Sequence, residues 1–310
     1  MSTIDAAPSR AATASLITAG ILWGTGGLAG AMLSERAGWS SVAIAVCRLA
    51  LGGVSALLLL GCAGGLRSSA FLPRTGAAFR RLLTAGALLA LYQACYFAAV
   101  TLTSVSVATM TTIGSVPVFV ALAGAVGERR LPDRVTTASV ACAVLGLVLL
   151  TWSPSDAEGG GQLVLGLACA LASGAGFATL TIVNGKPVEG LDPLRTTAFG
   201  CLVGAVLLLP LLALSATPQG AALWPLRADV IAVAIYLGAV PTALAYGAYF
   251  RGLAGSRPVV AALSALLEPL TAAVLAAVLL GDDLGVVGWC GAVLLVGAVA
   301  GSYVRPATPR

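Results

Sequence analysis

The sequence predicts an all-α integral membrane protein with ten transmembrane helices, arranged as two inverted repeats of five helices each (5+5). The first reason is composition: 59% of the 310 residues are apolar and only 9% are charged, whereas a soluble domain carries about 25% charged residues. The second is that apolar segments long enough to span a bilayer recur along the chain, and such segments must be helices. The third is an internal repeat, which fixes the architecture before any local pattern is considered.

The repeat is clearest in two segments that lie about half a chain apart. Each segment begins with Tyr-Phe, carries a proline near the middle of a long apolar helix, and ends in a glycine followed by an acid. The matching pairs are Tyr96-Phe97 with Tyr249-Phe250, Pro117 with Pro269, and Gly127-Glu128 with Gly281-Asp282. The chain is therefore expected to be two tandem copies of one unit, over residues 14–152 and 162–304.

The first copy contains five predicted spans, each close to the length of about 20 residues that a helix needs to cross the bilayer core. A polar segment, residues 1–13, precedes them and is expected to be disordered. The first span carries Trp23 in its middle and is expected to be an uncleaved anchor. The second contains Arg48, and the fourth contains Pro117. The predicted spans are 14–33, 41–62, 82–101, 104–126 and 135–152.

The second copy repeats this order. Its first span has small residues at helical spacing, which let helices approach closely in lipid. Its third span contains Pro241, and its fourth contains Glu268-Pro269. A short tail, 305–310, follows. The predicted spans are 162–183, 194–214, 229–250, 257–280 and 285–304.

The distribution of basic residues predicts the orientation. If the N-terminus is cytoplasmic, 14 of the 17 Lys and Arg residues lie on the cytoplasmic side, only Arg36 and Arg227 lie outside, and Arg48 lies within a span. This is a strong positive-inside bias. Both termini are therefore predicted to be cytoplasmic. Because each copy has an odd number of spans, the second copy is inverted relative to the first, as in many secondary transporters.

These features resemble the drug/metabolite transporter superfamily, and its EamA-like branch in particular. The resemblance covers residues 14–304 and depends on the 5+5 plan, Trp23-Gly24, Arg48, Pro117 with Gly127-Glu128, and Glu268-Pro269. The second copy has Gly281-Asp282-Asp283 where the family usually has Gly-Glu, so acidity is kept. The resemblance implies export or exchange of small metabolites, often amino acids or related compounds, across the bacterial cytoplasmic membrane.

Arg48 and Glu268 are the charged candidates for a substrate site. Arg48 is seven residues past the start of its span, about 10 Å deep, where a charge must be paired or meet water. Arg48 either faces a central cavity and binds an anionic group, or makes a structural ion pair. Glu268 is about 16 Å from the cytoplasmic boundary at Arg257, near the midplane. It either binds a proton or a substrate ammonium beside the backbone loosened by Pro269, or neutralises Arg48.

Further candidates surround these two charges. Aromatic and amide side chains can line the cavity, although packing or lipid contact is an open alternative for each of them: Trp23, Tyr92, Gln93, Tyr96, Tyr246 and Tyr249. The prolines Pro117, Pro241 and Pro269 are candidate helix breaks for gating, since broken helices at the midplane mark transport sites. For each of them a fixed kink that only serves packing is the alternative.

The sequence excludes several other functions. It has no histidine and no phosphate loop, and neither a cofactor, a metal site nor enzymatic activity is expected. The seven cysteines lie in apolar segments, and the arginines are too scattered for a nucleic-acid site.

We therefore expect a secondary transporter, favouring a small-metabolite exporter in the cytoplasmic membrane. Protons are a candidate coupling ion, and the protein is expected to be a monomer or homodimer. The alternatives are an importer, an exchanger, a drug efflux permease, or a receptor or assembly partner that does not transport.

Overall fold

The computed structural model describes residues 9–62, 75–129, 131–150, 160–215, 227–279 and 285–303. These residues form ten helices joined by short connections. The first repeat contains α1 (Arg10–Ala37), α2 (Ser41–Cys62), α3 (Gly76–Leu102), α4 (Val105–Glu128) and α5 (Arg134–Leu150). The second contains α6 (Gly160–Asn184), α7 (Pro193–Ser215), α8 (Ala228–Leu253), α9 (Pro258–Leu279) and α10 (Gly285–Tyr303).

The helices have the length and composition of membrane spans. Nine of the ten helices in the described ranges are long and apolar enough to cross a bilayer. The remaining one, α5, has 17 described residues, which correspond to about 25 Å at 1.5 Å per residue. Many large apolar side chains on the outer surface are exposed, as expected for a protein whose solvent there is lipid. The chain is a multi-pass membrane protein, as predicted.

Two helix starts differ from the prediction, because hydropathy marks only the apolar part of a helix. The first helix begins at Arg10 rather than at residue 14, since the Ser9 hydroxyl accepts a hydrogen bond from the Ala12 amide at 3.1 Å. Residues 10–13, predicted to be disordered, are therefore helical. The third helix begins at Gly76 rather than at residue 82, where Thr75 caps it in the same way. Residues 1–8, 281–283 and 304–310, which include Gly281-Asp282-Asp283, lie outside the described residues.

The two repeats make equivalent contacts, which is direct evidence for the internal symmetry. A Cβ atom added to Gly52 in α2 would lie 3.3 Å from the Gly238 carbonyl oxygen in α8. One added to Gly204 in α7 would lie 3.2 Å from the Gly86 carbonyl oxygen in α3. Positions 52 and 204, and likewise 86 and 238, differ by 152, so the second helix of each repeat packs in the same way against the third helix of the other repeat. The helices approach closely because both positions lack a side chain.

Polar contacts at the ends of the bundle join helices that the predicted topology places on one side. Asp133 precedes α5 and pairs with Arg257 at the start of α9, at 3.9 Å. Arg36 at the end of α1 pairs with Asp229 at the start of α8, at 3.7 Å, at the opposite end. Each of these ion pairs joins helix ends that the predicted topology places on the same side of the membrane. The pairs do not show which side is cytoplasmic. The end at which α1, α3, α7 and α9 begin is called the predicted cytoplasmic side below.

Candidate functional site

A narrow cavity lies in the middle of the bundle, between the two repeats. Its polar and charged lining combines three residues of the first repeat with two of the second. Trp23, Arg48, Tyr92, Tyr246 and Glu268 form this part of the wall. The rest of the lining is apolar and comes from Ile113, Val116, Phe177 and Ala265.

The cavity is too small for a metabolite in this state. The space open to the centre of a water-sized sphere is about 10 Å³, which is about the room that one water molecule needs. The helices therefore close around the charged residues. A substrate can reach them only after the helices or the side chains of the wall have moved.

Two hydrogen-bond donors in the cavity wall have no hydrogen-bond partner among the residues that the structure describes. Arg48 is held on α2 between the buried residues Ala45 and Leu49. Its Nε is buried without a hydrogen-bond partner, and so is Nε1 of Trp23. The ion pairs among the described residues do not include one between Arg48 and Glu268. A buried donor without a partner costs about 1–3 kcal/mol, so both atoms are suited to an acceptor group that arrives with a ligand.

Glu268 lies directly after a break in α9. The regular helix ends at Ala265, Leu266 forms a turn, and the helix resumes at Leu267. Pro269 has no N–H and cannot donate the usual hydrogen bond to the Ala265 carbonyl four residues earlier. Ala265 lines the same cavity as Glu268. The break therefore places a carboxyl group and an under-bonded carbonyl in one neighbourhood.

Pro117 produces the same effect in the first repeat. It lies inside α4 and leaves the Ile113 carbonyl without its usual donor. Ile113 also lines the cavity. Positions 113 and 265 differ by 152, as do 117 and 269, so the two repeats place equivalent proline-freed residues in the cavity lining.

Pro241 behaves differently from the other two prolines. It lies in a π-helical segment of α8, Ala239–Leu244, and the carbonyl that it leaves without a backbone donor belongs to Leu237. The Thr242 hydroxyl donates to that carbonyl at 2.8 Å, so its need for a donor is met. Pro241 is buried against α1, where a Cβ atom added to Gly26 would lie 3.1 Å from its own Cβ. Its observed contacts are those of a packed bend.

Aromatic rings form most of the cavity wall. Trp23 meets Tyr246 at a ring-centroid distance of 5.1 Å and Phe177 at 5.8 Å, both edge to face. Tyr92 meets Phe177 at 5.2 Å. Electron-rich ring faces next to a carboxylate attract a cationic group. The wall is thus suited to an organic ammonium.

Three residues that the sequence predicts to line the cavity lie behind its wall. Tyr249 is fully buried and bonded to Thr181 at 2.7 Å. Tyr96 is bonded to Thr109 at 2.8 Å. Gln93 is 2% exposed, and its Nε2 has no partner. Tyr96 stacks on Tyr92 at 6.4 Å and Tyr249 meets Trp23 at 5.0 Å, so these two rings support the wall from behind.

The sequence interpretation missed four lining residues, and two of them had a signal. Phe177 is the counterpart of Trp23, because the two positions differ by 154. The same offset relates Gly20 to Gly174. These two glycines make corresponding contacts, Gly20 with Ser264 and Gly174 with Thr112. Ile113 lies four residues before a mid-helix proline. Val116 and Ala265 had no chemical signal. No cluster of metal-ligating side chains occurs in the described part of the chain.

Comparisons with known proteins agree with this geometry. The sequence profile of the EamA-like transporter family matches residues 11–152 and again 164–304, one match for each repeat. The chain is 30% identical over 295 residues to the uncharacterized transporter YwfM of Bacillus subtilis (strain 168), covering 95% of this chain and 93% of YwfM.

A solved structure titled only as a crystal structure of a protein has the same fold, with a TM-score of 0.77 and 20% identity over 94% of this chain and 95% of that one. The two profile matches, the relative and the cavity between the repeats lead to one conclusion: the chain belongs to the EamA-like transporter family, within the drug/metabolite transporter superfamily, and is a transporter rather than an enzyme.

Proposed function

We propose that this transporter is a secondary active exporter of a small amphoteric metabolite, an amino acid or a related compound. The observation that carries the proposal is the cavity between the repeats, where the unpartnered donors of Arg48 and Trp23 line the same space as Glu268. An arginine whose buried Nε has no hydrogen-bond partner among the described residues is suited to a carboxylate that arrives with the substrate.

Glu268 and the rings supply the complementary half of the site. A substrate ammonium can bind the carboxylate, the Ile113 and Ala265 carbonyls and the faces of the aromatic rings. A molecule with one acidic and one amino group satisfies both ends of the cavity at once. A purely anionic or purely cationic compound leaves one of the two charges without a partner, which is costly at this depth.

Alternating access supplies the transport step. The cavity is closed in this structure, and inverted repeats can exchange inward-open and outward-open shapes by moving against each other around a fixed site. The family resemblance supports the outward direction. Protons are the proposed coupling ion, with Glu268 as the group that alternates between proton and substrate.

Flux in inside-out vesicles tests this function. A labelled panel of amino acids, simple carboxylates and simple amines is offered with and without an inside-acid pH gradient. Vesicles without the protein and right-side-out vesicles are the controls. We expect accumulation of an amphoteric compound in inside-out vesicles, stimulated by the gradient. Accumulation of only simple amines or only simple carboxylates contradicts the amphoteric site, and no flux across the panel contradicts the exporter proposal.

A further inference from the structure

We propose that a second pocket, at the predicted cytoplasmic side, is the vestibule through which the substrate enters, and that Phe250 is the ring that closes it off from the central cavity. This inference deepens the proposed function and rests on it, because only a transporter needs such a path. The pocket lies where α3 and α7 begin and α6 and α8 end. Its volume is about 100 Å³, compared with about 10 Å³ for the central cavity.

Phe250 belongs to both environments. Its ring lines the vestibule and is 4% exposed. On its other side it meets Tyr246 at 6.0 Å and Tyr249 at 5.8 Å between ring centroids. Tyr246 in turn lines the central cavity. A path from the vestibule to the cavity therefore crosses one layer of aromatic side chains, and Phe250 is the member of that layer on the vestibule side.

Arg81 fastens the rim of the vestibule. Its guanidinium donates to the carbonyls of Val183 and, at 2.9 Å, Lys186. These carbonyls lie at the end of α6, where the helix leaves carbonyl groups without partners. The bonds tie the start of α3 to the end of α6, the helix that carries Phe177 into the cavity wall. The tie therefore holds together two of the four helix ends that border the vestibule.

The packing of α8 favours a turning ring over a swinging helix. Gly252 is two residues past Phe250, and a Cβ atom added there would lie 2.6 Å from Leu16 Cγ and 2.9 Å from the Ala12 carbonyl oxygen of α1. Such close backbone packing holds this half of α8 in place. Rotation of the Phe250 side chain into the vestibule leaves that contact intact. A rotamer change is also the faster motion.

The charges of the vestibule suit the same class of molecule as the cavity. Its lining contains the basic residues Arg81 and Lys186, the amide of Asn184 at the end of α6, and Asp192, which also pairs with Arg195 at 3.4 Å. Mixed charge in a small pocket suits a compact amphoteric molecule and does not favour a polyanion. Both compartments thus combine basic and acidic side chains in their lining.

Thiol labelling tests the path without any substrate. In a variant in which the seven cysteines are replaced, Ile113→Cys places one reporter thiol in the central cavity. A small membrane-impermeant methanethiosulfonate is added to inside-out or right-side-out vesicles. Phe250→Ala is expected to speed labelling in inside-out vesicles about tenfold. A factor of this size corresponds to the free energy that contacts between aromatic side chains contribute. Labelling in right-side-out vesicles is expected to stay unchanged.

The matched control is Phe97→Ala, which removes a ring that packs against Tyr96 near the other end of α3. It should leave labelling in inside-out vesicles unchanged. Phe250→Leu keeps an apolar side chain without the flat ring and gives the same test if the alanine variant misfolds. An unchanged rate in both Phe250 variants, or equal acceleration from both sides, overturns the vestibule. If Phe250→Ala accelerates labelling only in inside-out vesicles but the protein shows no flux, the vestibule is supported and the proposed transport is contradicted.

Discussion

At the residue scale, the account depends on which aromatic hydroxyls face the cavity and which lie behind it. Tyr246 lines the cavity. Tyr249 lies one turn further along α8 and is bonded to Thr181. The Thr181 hydroxyl also contacts the Phe177 carbonyl at 3.0 Å as donor, so Tyr249 is the donor in the pair. The two tyrosines therefore have separable roles.

Replacing each tyrosine by phenylalanine tests this separation. Tyr249→Phe removes a buried hydrogen bond and should lower stability by about 1 kcal/mol with little change in transport. Tyr246→Phe should change the apparent affinity for substrate with little change in stability. Thermal unfolding in detergent and concentration-dependent flux measure the two effects. The reverse assignment, with Tyr249→Phe altering affinity and Tyr246→Phe altering only stability, contradicts the described wall.

Asp133 is a titratable residue outside the spans whose bonds are defined. Partial burial raises the pKa of its carboxyl, but hydrogen bonds from the Thr136 amide and hydroxyl, together with Arg257, outweigh this and lower the pKa below 3.8. Because the pKa is lowered in the folded state, the carboxylate stabilises the protein at pH values above the ordinary pKa of an aspartate. This contribution is lost as pH falls through the lowered value.

The substitution Asp133→Ala should therefore lower stability by about 1 kcal/mol at neutral pH, the usual cost of losing a helix cap. The difference from wild type should shrink below about pH 4, because the wild-type carboxyl is then increasingly protonated. Unfolding curves across pH measure it, with Glu189→Gln in an exposed loop position as control. A difference that persists unchanged in acid shows that the carboxylate charge is not what stabilises this end of α5.

At the element scale, α4 and α9 each contain a proline next to residues that line the cavity. Glycines of α1 bring that helix close to the break in α9 before Glu268. A Cβ atom added to Gly24 would lie 2.7 Å from the Glu268 carbonyl oxygen. One added to Gly27, on the same helix, would meet nothing within 4 Å. The position of Glu268 thus depends on how closely α1 and α9 pack.

Valine at these two glycines separates helix packing from helix propensity. Gly24→Val should push α1 and α9 apart, lower stability by about 1–3 kcal/mol as overpacking does, and reduce transport by displacing Glu268. Gly27→Val introduces the same side chain without a clash and should be nearly neutral. Unfolding temperature and flux at equal expression measure both variants. Equal effects of the two substitutions are incompatible with the close approach of α1 to α9.

At the scale of the whole molecule, the helices and their repeat could be predicted because composition and hydropathy are dictated by the bilayer. Arg48 and Glu268 could be predicted as cavity residues because charges at that depth need partners or water. Which residues of α3 line the cavity could not be predicted, since every face of that helix is largely apolar. Tyr92 lines it in this structure, and a role for Gln93 and Tyr96 stays a prediction. The closed state of the cavity has no sequence signal at all.

The inverted symmetry links the three scales. Glycine contacts between the repeats recur at one offset, and both repeats contribute a charged residue to the cavity between them. Only a site at this position is shared by both halves and stays accessible when they move against each other. The central claim is therefore that Arg48 and Glu268 contact the transported molecule.

The initial rate of transport in vesicles tests that claim most directly, with the compound found in the panel and equal amounts of protein. Arg48→Ala and Glu268→Gln are each predicted to slow transport more than about thirtyfold, because removing one partner of a buried charged contact costs about 2 kcal/mol or more. Glu128→Gln, at the exposed end of α4, is the control and should match wild type. Rates within about twofold of wild type for both site variants would contradict the account and leave the two charges with a structural role.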